Sequence, residues 1–227
     1  MLNPSSIPSF RRGTSRAEIL MVIGILGLMF LIMTPAVRVA RDASRRAVCF
    51  DHFRQIGNAI TVYESTLGHY PVDGENNWGY AAALLPTLHP DLAAQIGPLS
   101  ETQPELCDER SEVITQLLCP SLRRQDHLET GDARSVALGS SILASQITTA
   151  DISDGPGNTI CVGETTQEHS WAIPHLGTFE NRIQRGVFAS HHPGGAIFTF
   201  CDGSARFLSS SMQLETFQAL STPNGSD

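Results

Sequence analysis

Nineteen consecutive residues without a charge, Ile19 to Val37 (ILMVIGILGLMFLIMTPAV), constrain this chain more than any other feature. As a helix rising ~1.5 Å per residue they cover about 28 Å, close to the ~30 Å hydrocarbon core of a bilayer. A cleaved secretory signal has an apolar region of only about 7–15 residues, and Thr34-Pro35-Ala36 is a poor cleavage site, so the run reads as a membrane segment. Arg11, Arg12 and Arg16 precede it and favour a cytoplasmic N-terminus, although Arg38, Arg41, Arg45 and Arg46 follow it. Beyond the run, Phe53, Ile56, Ile60, Tyr63 and Leu67 recur at spacings of three and four up to Gly68, a residue suited to ending a helix. The spacing predicts one long helix, apolar and then amphipathic, with Pro35 as a point where it can kink.

Charge separates the two ends of the chain. Residues 1–54 hold eight arginines against Glu18, Asp42 and Asp51, a net of +5, while residues 55–227 carry −13. A basic head suits anionic lipid, whereas an acidic body is a poor match to a phosphate backbone, so nucleic-acid binding is not expected. No lysine occurs anywhere, which excludes a P-loop lysine and Schiff-base chemistry. The 227 residues suffice for one well-buried domain and an appendage.

Residues 69–135 read as irregular, punctuated by six prolines and Asp73-Gly74, with short helical patches around Trp78–Leu85 and Ser111–Leu118. From about Ala150 the pattern becomes β, with a strand over Asn158–Val162. In HHPGGAIFTFCDGSARFL, Phe198 and Phe200 alternate with Thr199 and Cys201. Asp202-Gly203 offers a type I′ turn, and Ser204–Leu208 returns as the second strand. His192, Gly194 and Gly195 then make the connection before the hairpin. Turn chemistry accounts for these residues, but His192 and Asp202 could also act as base and acid, with Cys201 beside them, if the fold brought them together. No C-x-x-C or H-x-x-x-H spacing accompanies them, so no metal site is assigned. Asp151, Asp154 and Glu164 lack the EF-hand spacing for Ca²⁺. The tail SSSMQLETFQAL predicts a closing helix with Leu214, Phe217 and Leu220 on one face. Trp78 and Trp171 are expected to be packing anchors, and Cys161 and Cys201 core residues of strands.

RRGTSRAE, a basic leader with Glu18 five residues after Gly13, resembles the class III signal of type IV prepilins and pseudopilins. That resemblance implies cleavage by prepilin peptidase between Gly13 and Thr14, N-terminal methylation, and a role for Glu18 in setting the register against a neighbouring subunit. Thr14 stands where that family usually has phenylalanine. FASHHPGGAIFTFCDGSARFL is similar to the His, nine residues, Asp-Gly signature of the prepilin-processing-associated family also called domain of unknown function 1559. RRAVCFDHFRQIGNAITVYESTLGHYP, LLCPS, DISDGPGNTICVGE and SMQLETFQAL resemble its other blocks, in its order.

The resemblance implies an α+β, pilin-like architecture in which a long N-terminal helix packs on an antiparallel sheet. Its parts would be a leader over residues 1–13, a prepilin-type membrane helix over 14–46 and a globular domain over 47–227. It further implies a disulfide between Cys49 and Cys119, the positions this family tends to keep. Five cysteines in an exported body make pairing reasonable in any case. The functional expectation is a non-enzymatic, single-pass protein of the cytoplasmic membrane with its body in the periplasm, linked to type II secretion-like assembly. It needs no cofactor, and its partners are the membrane, prepilin peptidase and like subunits. The alternative is an anchored extracytoplasmic hydrolase using His192 and Asp202.

Overall fold

The computed structural model describes residues 15–122 and 133–225. The chain divides into two compact units, Met1–Ala43 and Ser44–Asp227. In the first, helix α1 (Arg16–Leu67) begins and carries the apolar run. Its most apolar 18-residue window has a mean hydropathy of 2.5 and none of it is buried. Ser15 starts the helix in a variant of the capping box, its hydroxyl reaching N2 instead of N3. Its hydroxyl accepts from the Ala17 N–H at 3.2 Å, and the Glu18 carboxylate accepts from the Ser15 N–H at 2.9 Å. The helix continues through Pro35, and the Thr34 hydroxyl donates to the Phe30 carbonyl in the turn before it.

In the second unit the last turns of α1 bury Cys49, Phe53, Ile56, Gly57, Ala59 and Ile60, so the spacing read from the sequence does form the helix's inner face. The face stops short of its expected end: Tyr63 is half-buried and Leu67 is exposed. Gly68 then adopts φ 79° while its N–H bonds the Glu64 carbonyl, a left-handed helix end.

A four-stranded antiparallel sheet in the order β1-β2-β3-β4 faces this helix: β1 (Arg134–Gly139), β2 (Ile160–Ser170), β3 (Gly195–Phe200) and β4 (Ala205–Ser209). The α+β class is therefore as the sequence implies. Strand β3 is buried on both faces, against expectation from a simple apolar–polar alternation. On one face Ile197, Thr199 and Cys201 meet α1, and Thr199 donates its hydroxyl to the Phe53 carbonyl at 2.8 Å. On the other, Ala196, Phe198 and Phe200 pack with Phe179, Phe188 and Phe217, the last from the closing helix α5 (Leu214–Ala219).

Strand β1 straddles the end of the 69–135 stretch read as irregular and continues where no element is predicted, because RSVALG is a short, fully buried run without alternation. Short helices α2 (Tyr80–Ala83), α3 (Leu85–Leu88) and α4 (Pro90–Ile96) fill that region, and only a single 3₁₀ turn, Thr115–Leu117, lies within the Ser111–Leu118 patch. Trp78 and Trp171 stack at 6.3 Å in the core, each donating its indole N–H to a carbonyl, and so anchor the irregular segment.

The β3–β4 turn differs from the type I′ expectation. Gly203 alone has positive φ, 79°, and its N–H bonds the Phe200 carbonyl at 2.9 Å. The loop is thus the three-residue kind with glycine in the left-handed position. A Cβ on Gly57 of α1 would meet the Gly203 carbonyl oxygen, so helix and turn touch backbone to backbone.

Candidate functional site

Gly13 and Thr14 lie outside the described residues. Glu18, the third processing residue, is the N3 partner of the capping box. The S-x-x-E spacing from Ser15 to Glu18 before an apolar run announces that role in the sequence. Its charge also complements the helix N-terminal dipole.

The residues of the hairpin signature part company in space. Asp202 sits in the exposed turn, where Oδ1 accepts from the Ser204 N–H at 2.8 Å and Oδ2 lies 3.7 Å from Arg206. His192 precedes the other end of β3, and a six-residue strand rising ~3.3 Å per residue keeps the two about 20 Å apart along the chain. The structure does not bring them together, and Cys201 is buried beside Cys161 in the core, away from any exposed surface. Gly194 holds φ 90°, and Gly195 lets β3 approach β4 so closely that a Cβ would strike the Leu208 carbonyl oxygen. Asp151 caps a 3₁₀ turn with Thr148, Asp154 accepts from the Gly225 N–H, and neither converges on Glu164.

His192 turns instead to a cluster that spacing in the sequence could not reveal. Cys49 from α1, Cys119 from the CPS turn, Glu164 from β2 and His192 each offer one atom, all within 4.8 Å of one another. Nε2 of His192 lies 3.5 Å from Sγ of Cys119, and Sγ of Cys49 lies 3.7 Å from Oε1 of Glu164. Each residue is at most 3 % exposed.

Local structure fixes every member. Next to Glu164 the β1–β2 register slips between Ser135 and Ala137, a bulge that re-aims the strand. The second carboxylate oxygen of Glu164, Oε2, accepts from the Ile197 N–H at 3.2 Å, and the Ser190 hydroxyl also bonds the carboxylate. That hydroxyl accepts from the His192 N–H at 2.9 Å, and Gln184 donates to the His192 carbonyl.

The electrostatics follow from burial and from the thiols. Desolvation pushes the Glu164 carboxyl up to about 7. The hydrogen bond from Cys49 and the contact with His192 hold the Cys119 thiol down to about 4, and the same contact raises His192. The Cys49 thiol rises, because its hydrogen bond to Cys119 and its burial favour the protonated form. Cys119 and His192 have the chemistry of a nucleophile and base, and both side chains are buried. The expected bridge partners, Cys49 and Cys119, do meet here, yet as free thiols: all five cysteines are unbonded.

A family profile described as protein of unknown function, DUF1559, matches residues 38–123 and 180–215, just over half of the chain. The matched segments contain Cys49, Cys119, His192 and Asp202, whereas Glu164 and the apolar run lie outside them. No curated protein and no solved structure matches the chain.

Proposed function

Since the chain belongs to the DUF1559 family, whose description assigns no activity, we propose that it is a non-enzymatic, membrane-anchored, pilin-like subunit. The first turns of α1 lie in the cytoplasmic membrane and the α+β body lies on its outer side. Prepilin peptidase cuts between Gly13 and Thr14, the new amino terminus is methylated, and Glu18 sets the register as the apolar helices of like subunits pack side by side. A place in a type II secretion-like assembly follows from that packing.

One observation supports this reading above the others: the apolar start of α1 is bare, while the later turns of the same helix are core. Fourteen large apolar side chains between Ile19 and Val37 are each 46 % exposed or more. At roughly 1.5–3 kcal/mol for each such side chain fully buried, leaving them in water forfeits on the order of tens of kcal/mol, more than the ~5–15 kcal/mol by which domains are stable. Lipid tails or sister helices remove that penalty.

Co-expression with prepilin peptidase followed by sequencing of the mature N-terminus tests the processing step. A methylated Thr14 start is expected. An intact leader, or a start beyond the apolar run, contradicts it.

A further inference from the structure

We propose that Cys49, Cys119, Glu164 and His192 bind one zinc ion as a closed, tetrahedral structural site. The residues come from four separate segments, yet each points a ligand-type atom at a common centre.

Distance is the first argument. Metal–ligand bonds of ~2.0–2.3 Å at tetrahedral angles put ligand atoms about 3.3–3.8 Å apart. Of the six separations among the four atoms, all within 4.8 Å, Cys119–His192 at 3.5 Å and Cys49–Glu164 at 3.7 Å fall in that range, so little movement would bring the set around one ion.

Charge is the second. A carboxylate with no exposed surface, set among two thiols and an imidazole, is costly unless it is paired. With Zn²⁺ present the two thiolates, the carboxylate and the neutral imidazole carry a net −1. Arg46, whose guanidinium lies over the Phe207 ring at 3.6 Å and acts electrostatically on His192, offsets it.

The third argument is the ring of supporting bonds typical of metal centres. Oε1 of Glu164 is left to face the cluster while Oε2 is held by the Ile197 N–H, a monodentate arrangement. Ser190 ties the carboxylate to the His192 backbone.

No redox step is involved. Two Zn–S bonds form as the Cys49 S–H bond breaks and the single proton held between Cys119 and His192 is lost; these two protons, and any on the Glu164 carboxyl, pass to solvent, leaving two thiolates, a carboxylate and a neutral imidazole bound through Nε2. The filled site would staple the last turns of α1 to the CPS turn, to β2 and to the connection before β3. It would do so whether or not the first turns of α1 enter a membrane.

The test uses the full chain in detergent, purified with a non-thiol reductant, loaded with ZnCl₂ and freed of excess metal. One zinc per chain is expected. Co²⁺ in its place should give the thiolate charge-transfer band and the intense visible bands of a four-coordinate ion. Cys119→Ser and Glu164→Gln should each weaken zinc binding at least tenfold. His192→Cys preserves a ligand, so it should keep one zinc and raise the sulfur count in the X-ray absorption spectrum from two to three, which separates lost ligation from lost folding. Absence of bound zinc from the reduced native chain overturns the proposal. So does a Cys49–Cys119 disulfide in protein purified without reductant and supplied with zinc throughout, or metal content unchanged in every variant.

Discussion

Gly203 shows how much one hydrogen atom in place of a side chain can decide. It holds positive φ, and a Cβ there would come within 2.8 Å of the Thr61 methyl. Gly203→Ala therefore combines left-handed strain of ~1–2 kcal/mol with overpacking against α1. Urea unfolding should show a loss of about 2–4 kcal/mol. His169 gives a signature in pH. Burial lowers its pKa from 6.5 to about 4, although its ring nitrogens lie near the Gln167 and Ala137 carbonyls. Between those values the unfolded chain binds the extra proton and the folded one does not. Stability is thus full above about pH 6.5 and falls as the pH drops toward 4, by on the order of 3 kcal/mol. His169→Gln should flatten that acid limb in a series of denaturation midpoints measured from pH 4 to 7, and an unchanged slope would refute the assignment.

Among the elements, α5 places one fully buried ring in the core. Phe217 contacts Phe179, Phe198 and Phe188 at centroid distances of 4.9, 5.4 and 6.2 Å. Phe217→Ala should lower stability by about 3–5 kcal/mol, read by denaturant titration. Elements of this kind were legible in the sequence wherever a period survived: α1 from its threes and fours, the β3–β4 hairpin from its Asp-Gly, α5 from Leu214, Phe217 and Leu220. Strand β1 was not, because a strand buried on both faces shows no alternation. The buried cluster was invisible for a different reason. Its members stand 70, 45 and 28 positions apart in sequence, so no local spacing links them, and the sequence sets His192 beside Asp202, its neighbour along the chain instead of in space. Only the nearness of Cys49 and Cys119 follows from the family resemblance, which implies a bridge where the structure has two free thiols. The start of α1 adds a test of two roles in one residue. Glutamine can replace glutamate in a capping box. Glu18→Gln should therefore leave the helix start intact while weakening cross-linking between neighbouring subunits by tenfold or more, and undiminished cross-linking would remove the register role.

The molecule as a whole joins a bare apolar helix start to a body whose core the same helix completes. The sequence contains both halves of that description, since hydropathy alone marks Ile19–Val37 and periodicity alone marks Phe53–Ile60. What the apolar run meets in the cell decides the account. Alkaline carbonate extraction of membranes from cells making the full chain, paired with external protease on spheroplasts, reads this directly. The account predicts that the chain stays in the membrane pellet and that protease removes the body from outside. A full-length chain in the soluble fraction, with the Ile19–Val37 segment intact and shielded from protease, would contradict it.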